Sequence, residues 1–119
     1  MSMDIRRGDI VIVDLDPTAG SEQRGTRPCL VVQNDVGNAN APTTIVAPFT
    51  TAFDDAVYPF EVHVPAATCS LAEDSVVDCS QLRSISIAHC IDANLGSIPD
   101  DRLQAVDRAL EYSLGLIEV

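Results

Sequence analysis

Residues 20–35 read GSEQRGTRPCLVVQND, and the fold turns on how that stretch divides. Its first half is polar and bracketed by Gly20 and Gly25. Its second half, Cys29-Leu-Val-Val32, is a short apolar run rich in β-branched side chains, the pattern of a buried strand. Between the halves, Pro28 fixes φ and biases Arg27 toward an extended backbone. A polar loop, residues 18–26, therefore feeds a rigid strand, with an arginine at the junction. Arginine stays charged at physiological pH and presents a planar fork that fits a phosphate. A charged fork at the base of a loop is placed to close over an anion.

Outward from this stretch, short apolar runs alternate with turn signals. Residues 9–15, DIVIVDL, predict a first strand, and residues 28–34 the second. The connection DVGNANAP, residues 35–42, is turn chemistry. Residues 43–49 predict a third strand, ended by Thr50 and Thr51. Residues 60–64, FEVHV, alternate strictly, so Phe60, Val62 and Val64 face the core and His63 faces solvent. Residues 74–82 and 88–98 are further strand segments.

One helix is expected late in the chain. Pro99 suits a first helical position, and Asp100 and Asp101 complement the N-terminal dipole. Leu103, Val106, Leu110 and Leu114 form an apolar stripe at helical spacing, and Gly115 is placed to end it. The tail, residues 116–119, suits a short edge strand. Many short strands and one late helix predict a mostly β, α+β or barrel architecture in a single domain, residues 1–119.

Composition narrows the function classes. No apolar run approaches the ~18 residues of a membrane span, and the N-terminus has no apolar signal region, so a cytoplasmic protein without membrane contact is expected. The four cysteines and two histidines have no metal-ligand spacing. Reduced, buried thiols are expected, with a Cys79–Cys90 bridge as the alternative. The net charge is −11, from 18 acidic residues against seven arginines and no lysine. Such a field repels nucleic acid at long range. A nucleic-acid enzyme with this charge needs a salty cytoplasm to screen it, clustered arginines, or both.

Several motifs occur in order: Arg7-Gly8-Asp9, Leu15, Pro17, the loop–strand block above, Gly37-Asn38, Pro42-Thr43, Thr50, Gln81-Leu82-Arg83, and Ser113-Leu-Gly-Leu-Ile117. With these the chain resembles the MazF/PemK family, the toxin halves of toxin–antitoxin pairs, over nearly its whole length. The resemblance implies a small, twisted SH3-like barrel of the CcdB/PemK type with a C-terminal helix. It implies a type II toxin that acts as a metal-independent, sequence-selective endoribonuclease. The implied substrate is single-stranded RNA, and the products carry 2′,3′-cyclic phosphate and 5′-OH ends. The implied partners are a cognate antitoxin and a second copy in a homodimer; no cofactor or metal is called for.

The same resemblance implies the site. Arg27 corresponds to the family's catalytic arginine, and clamping the charge of the phosphorane is the role its high pKa permits. Thr50 corresponds to the catalytic threonine, whose hydroxyl can donate to a non-bridging phosphate oxygen. Glu22 is the general-base candidate if loop closure desolvates it. Ser21, Gln23, Gln81 and Arg83 are expected to contact RNA. Gln81 suits a base edge and Arg83 a phosphate. Ser80 stands where the family has an acidic residue before that glutamine, which bears on which bases are recognised.

Plain structural roles compete: Arg27 in an ion pair with Asp35 or Glu22, Thr50 as a strand terminator, Glu22 as a solvated carboxylate. His89 falls where relatives often carry a basic residue, and a buried neutral histidine is the alternative. Phe53 and Tyr58 are the available stacking platforms, or else core caps. Two rival functions remain on the same fold: a CcdB-like gyrase poison and a non-catalytic binding module. The first relies on a C-terminal tryptophan, and this chain has no tryptophan. Arg27 and Thr50 both being present argues against the second.

Overall fold

The apolar run at residues 9–14 and the one after Pro28 pair with each other. β1, Asp9–Asp14, lies antiparallel to β2, Thr26–Val31, in a register from Ile10↔Leu30 to Asp14↔Thr26. The structure, a computed structural model, describes residues 4–15, 25–51 and 58–118. β3, Thr43–Thr50, continues the sheet on the other edge of β2, with Leu30 opposite Ala47.

The far edge of β3 is shared by two strands. Its first half pairs with β6, Arg83–Ser86, and its last residues pair with β5, Ser75–Asp78. β4, Glu61–Val64, lies outside β5, and β7, Ile91–Ser97, outside β1. The strand order is β4-β5-β3-β2-β1-β7, with β6 on β3. The sheet is twisted but open, so the expected barrel does not close. The two register shifts between β1 and β7 bend that end of the sheet.

Both faces of the central strands are buried. On one face, Ile10, Leu30, Ala47, Phe49, Val62, Val64 and Val77 pack with Val106 and Ala109 of the helix α3, Asp100–Ser113. On the other, Val11, Val13, Leu15, Cys29, Val31 and Val46 pack with Ile5, Ile85, Ile87 and Ile91. A strand buried on both faces needs apolar side chains at consecutive positions, which is why the run after Pro28 does not alternate. Strict alternation does hold in β4: Val62 and Val64 are buried and His63 is exposed.

Several segments differ from the expectation. Residues 35–40 form a short helix, α1, Asp35–Asn40, rather than a turn. The Asn34 side chain accepts from the Gly37 amide and caps it. Gly37 also lets the Gln33 side chain approach, since a Cβ there would meet its amide nitrogen at 2.9 Å. Residues 74–82 are not one strand: β5 stops at Asp78, a turn follows, and β6 begins at Arg83. A single helical turn, α2, Ile87–Cys90, precedes β7.

Pro99 is the N-cap of α3, one residue before the first helical position. Gly115, at φ +74, ends the helix in a Schellman arrangement, with Leu116 N–H on Glu111 O and Gly115 N–H on Tyr112 O. The Ser113 hydroxyl donates to the Cys79 carbonyl at 2.6 Å and pins that helix end to the sheet. Residues 114–118 form no strand, and Leu114 and Leu116 are exposed instead of lying along an edge. All four cysteines are free. Among the described residues, no helix is long and apolar enough to cross a membrane.

Candidate active site

Strand register brings the two residues at the centre of the sequence reading together. Cys29 lies opposite Pro48; two residues beyond that pair, Arg27 on β2 and Thr50 at the end of β3 project to the same face as it. Paired residues of antiparallel strands share a face. Arg27 Nη1 donates to the carbonyl of Phe49 at 3.3 Å, which holds the guanidinium against the backbone beside Thr50. Thr50 pairs in turn with Val76, and Val76 with His63. Val13 on β1 pairs with Arg27, so Val13, Arg27, Thr50, Val76 and His63 form a row of residues that share one face.

Arg83 joins the same face from β6, opposite Val46. Its Nη1 donates to the Leu15 carbonyl at 2.9 Å. Leu15 is the last described residue before segment 16–24, and its own amide donates to the Gly25 carbonyl at 3.1 Å, across the other end of that segment. Arg83 thus bonds to the residue at one end of segment 16–24, and Arg27 lies two residues past Gly25 at its other end. Burial pushes the Cys29 thiol up to about 12, against the opposing pull of the Arg27 and Arg83 charges. Both arginines therefore act on one point of this face. Arg27, Thr50 and Arg83 are each half-buried, open enough to meet a ligand and packed enough to hold a direction.

The arrangement presents two guanidinium groups and a hydroxyl on one face of β2, β3 and β6. That is a set of donors for a phosphodiester: planar forks for its charge and an O–H for a non-bridging oxygen. Among the described residues, no group of three or more His, Cys, Asp or Glu side chains is placed to hold a metal ion. Asp100, Asp101, Asp107 and Glu111 lie on α3, which packs on the opposite face of the sheet, while Asp78 and its cross-strand partner Glu61 share this one.

The seven arginines are not all gathered here. Arg7 pairs with Asp107 at 2.7 Å, and Arg102 reaches Asp101 at 3.8 Å. The proposed ion pair between Arg27 and Asp35 does not form. Asp35 accepts from the Arg7 amide at 2.7 Å and from the Asn38 side chain, bonds that hold its carboxyl below the usual range.

Gln81 stands in the turn between β5 and β6, next to this face, with its side chain on Asp78. Ser21, Glu22, Gln23 and Phe53 lie outside the described residues. Tyr58 is 60% exposed and stacks parallel on Phe60 with ring centroids 5.4 Å apart. His89 is exposed on α2, beyond the far end of β6 from Arg83, and lines a cavity of about 320 Å³ with Pro42 and Ile87. Sequence reasoning missed Asp78 and the membership of His63 in the row. The alternation at residues 60–64 signals that His63 faces away from the helix-covered core, but only strand order sets it beside Thr50.

A family model described as PemK-like, MazF-like toxin of type II toxin–antitoxin system matches residues 6–114. The chain is 40% identical over 116 residues to Endoribonuclease EndoA of Bacillus subtilis (strain 168), covering 98% of this chain and 99% of that one. Among solved structures, MazF (Form-I) from Deinococcus radiodurans superposes with a TM-score of 0.76 at 30% identity, over 95% of this chain and 98% of that one. MazE–MazF (Form-II) from Deinococcus radiodurans superposes at 0.74 with 29% identity, over 97% and 99%.

Proposed function

The chain belongs to the PemK-like, MazF-like toxins of type II toxin–antitoxin systems, and from that membership we propose how it acts. It is an endoribonuclease toxin that cuts single-stranded RNA at selected sequences without a metal ion, leaving a 2′,3′-cyclic phosphate and a free 5′-OH. The observation that supports this most is Arg27 and Thr50 on one face of adjacent strands, with Arg27 Nη1 bonded to the Phe49 carbonyl next to Thr50 and Arg83 on the same face.

The chemistry needs three things from the protein. The ribose 2′-OH must lose a proton, the phosphorane must be stabilised, and the leaving 5′-oxygen must gain a proton. Arg27 clamps the developing negative charge through its fork, and Thr50 donates to a non-bridging oxygen. Glu22 takes the 2′-OH proton once loop closure desolvates its carboxylate; solvent supplies the proton to the leaving oxygen. Ser21, Gln23, Gln81 and Arg83 hold the flanking nucleotides, Gln81 at a base edge and Arg83 at the backbone.

The domain works in the cytoplasm as a single unit, residues 1–119. Its partners are a cognate antitoxin, as in the MazE–MazF relative, and a second copy of itself. Residues 36–46 and 84–90 contain no Asp, Glu, Lys or Arg, and expose Val36 and Ile45. Two bodies that each carry −11 meet most cheaply through such a charge-free face.

End-mapping of total RNA treated with purified protein in EDTA tests the reading. Cuts at a shared short sequence, with cyclic phosphate and 5′-OH ends, are expected. Intact RNA, or ends bearing 5′-phosphate, would overturn it.

A further inference from the structure

The turn between β5 and β6 is tied by one carboxylate. Asp78 is 9% exposed, and a buried carboxylate survives only when hydrogen-bonded. Its Oδ1 accepts from the Ser80 amide at 2.9 Å and from the Ser80 hydroxyl. Its Oδ2 accepts from Nε2 of Gln81 at 3.4 Å, and the Gln81 amide donates to the Asp78 carbonyl at 3.3 Å. Asp78 thus contacts both the main chain and the side chain of Gln81. Asp78 lies two residues beyond Val76, the cross-strand partner of Thr50, and so faces the Arg27–Thr50 side of the sheet. Packing does not ask for a charge here: the rest of β5 is Ser75-Val-Val77, fully buried, and an apolar side chain would avoid the desolvation cost.

We propose that Asp78 is a specificity-determining positioning residue, which locks the side-chain amide of Gln81 in one orientation and so selects the base that Gln81 reads. The proposal rests on the reading of Gln81 as a base-edge contact given above. A glutamine amide has a donor end and an acceptor end that a 180° flip exchanges. A carboxylate can only accept, so it holds the NH₂ end toward itself, and the flipped form would set two oxygens against each other. The carbonyl end is then directed away from Asp78. A base edge complementary to that one orientation is favoured; a donor in place of the Asp78 carboxylate would favour the opposite polarity.

Cleavage of a randomised RNA pool, scored base by base around the cut, tests this with Gln81→Ala, Asp78→Asn and the double variant. Asparagine keeps the shape, but the Ser80 amide holds its Oδ1, so its Nδ2 faces Gln81 and favours the flipped orientation of that amide. A base contact of this kind discriminates about 5- to 150-fold. Gln81→Ala should erase the preference at one position. Asp78→Asn should cut the preference at that same position at least fivefold, with the rate on the best sites changed by no more than a few-fold. The double variant should look like Gln81→Ala alone.

If Gln81→Ala flattens a position that Asp78→Asn leaves intact, the lock is wrong and the reading of Gln81 stands. If Gln81→Ala alters no position, the reading of Gln81 falls and the lock with it. Should Asp78→Asn not fold, NMR of the unsubstituted protein decides. Nuclear Overhauser contacts should place the Gln81 side-chain NH₂ on the Asp78 side in one orientation, and comparable populations of both orientations would overturn the proposal.

Discussion

Replacing Arg27 by alanine removes the clamp and leaves the sheet. The side chain is half-buried and its described bond is to the Phe49 carbonyl, 3.3 Å from Nη1. Losing one charge-assisted hydrogen bond costs about 1.5–3 kcal/mol when buried. Partial exposure lets water replace it here, so about 1 kcal/mol is expected, a fall in Tm of about 4 °C. The effect on chemistry is larger. Removing one preorganised donor from a developing oxyanion costs about 10²–10³ in kcat. Because the clamp acts on the transition state, kcat and kcat/KM should fall together. Arg27→Lys should recover less than about tenfold of that loss, since a point charge cannot reproduce a two-nitrogen fork.

The assay is steady-state cleavage of a susceptible oligoribonucleotide in EDTA, with thermal melts run on the same samples. Arg27→Gln, which retains a donor for Phe49 O, serves as a second variant against loss of fold. Arg27→Ala cleaving within about threefold of the unsubstituted protein, at an unchanged Tm, would refute the assignment of the clamp.

Thr50→Ser should keep activity within a few-fold, whereas Thr50→Val should lose about 10²-fold in kcat if its hydroxyl donates to the phosphorane; equal rates for the two variants would exclude that role. Burial pushes the Cys29 and Cys79 thiols from 9.0 to about 12, so iodoacetamide at pH 8 should label Cys69 and Cys90 in the native protein and all four thiols in denaturant, as read by mass. Because the folded state holds those two protons more tightly, their contribution to stability is complete below pH 9.0 and is lost as pH rises toward about 12; a Tm independent of pH across that window would contradict it. At ~1 M salt the Debye length is about 3 Å, so repulsion among the carboxylates and between body and RNA largely vanishes. Cleavage rate and Tm should therefore hold or rise as KCl goes to several molar, and a rate that falls steadily while Tm stays flat would reject the idea.

The unbroken apolar run after Pro28 determines a strand buried on both sides, because no polar side chain sits where either face would need water. The strict alternation of residues 60–64 determines which side of β4 faces the helix-covered core. The spacing of Leu103, Val106 and Leu110, with Gly115 after them, determines α3 and its end. Arg27 at the loop–strand junction and Thr50 at the end of β3 are legible as functional types, and the ordered motifs around them point to one family.

None of that sets Arg27 and Thr50 on one face of neighbouring strands. That placement depends on the β2–β3 register, which is fixed by which faces of both strands are buried. Nor does local pattern reveal that the far edge of β3 is divided between β5 and β6, because a four-residue turn inside a run of mixed residues looks like continuing strand. That division carries Arg83 to the Leu15 carbonyl, 68 positions away in the chain, and turns Asp78 inward beside Gln81. The helix at residues 35–40 escaped for a different reason: Asn and Gly favour turns locally, and only the Asn34 cap and the Gln33 side chain packed on Gly37 tip them into helix. The burial of a carboxylate at residue 78 was likewise invisible in the sequence, since acidic residues default to the surface; its donors lie close by at Ser80 and Gln81, but only the fold buries it.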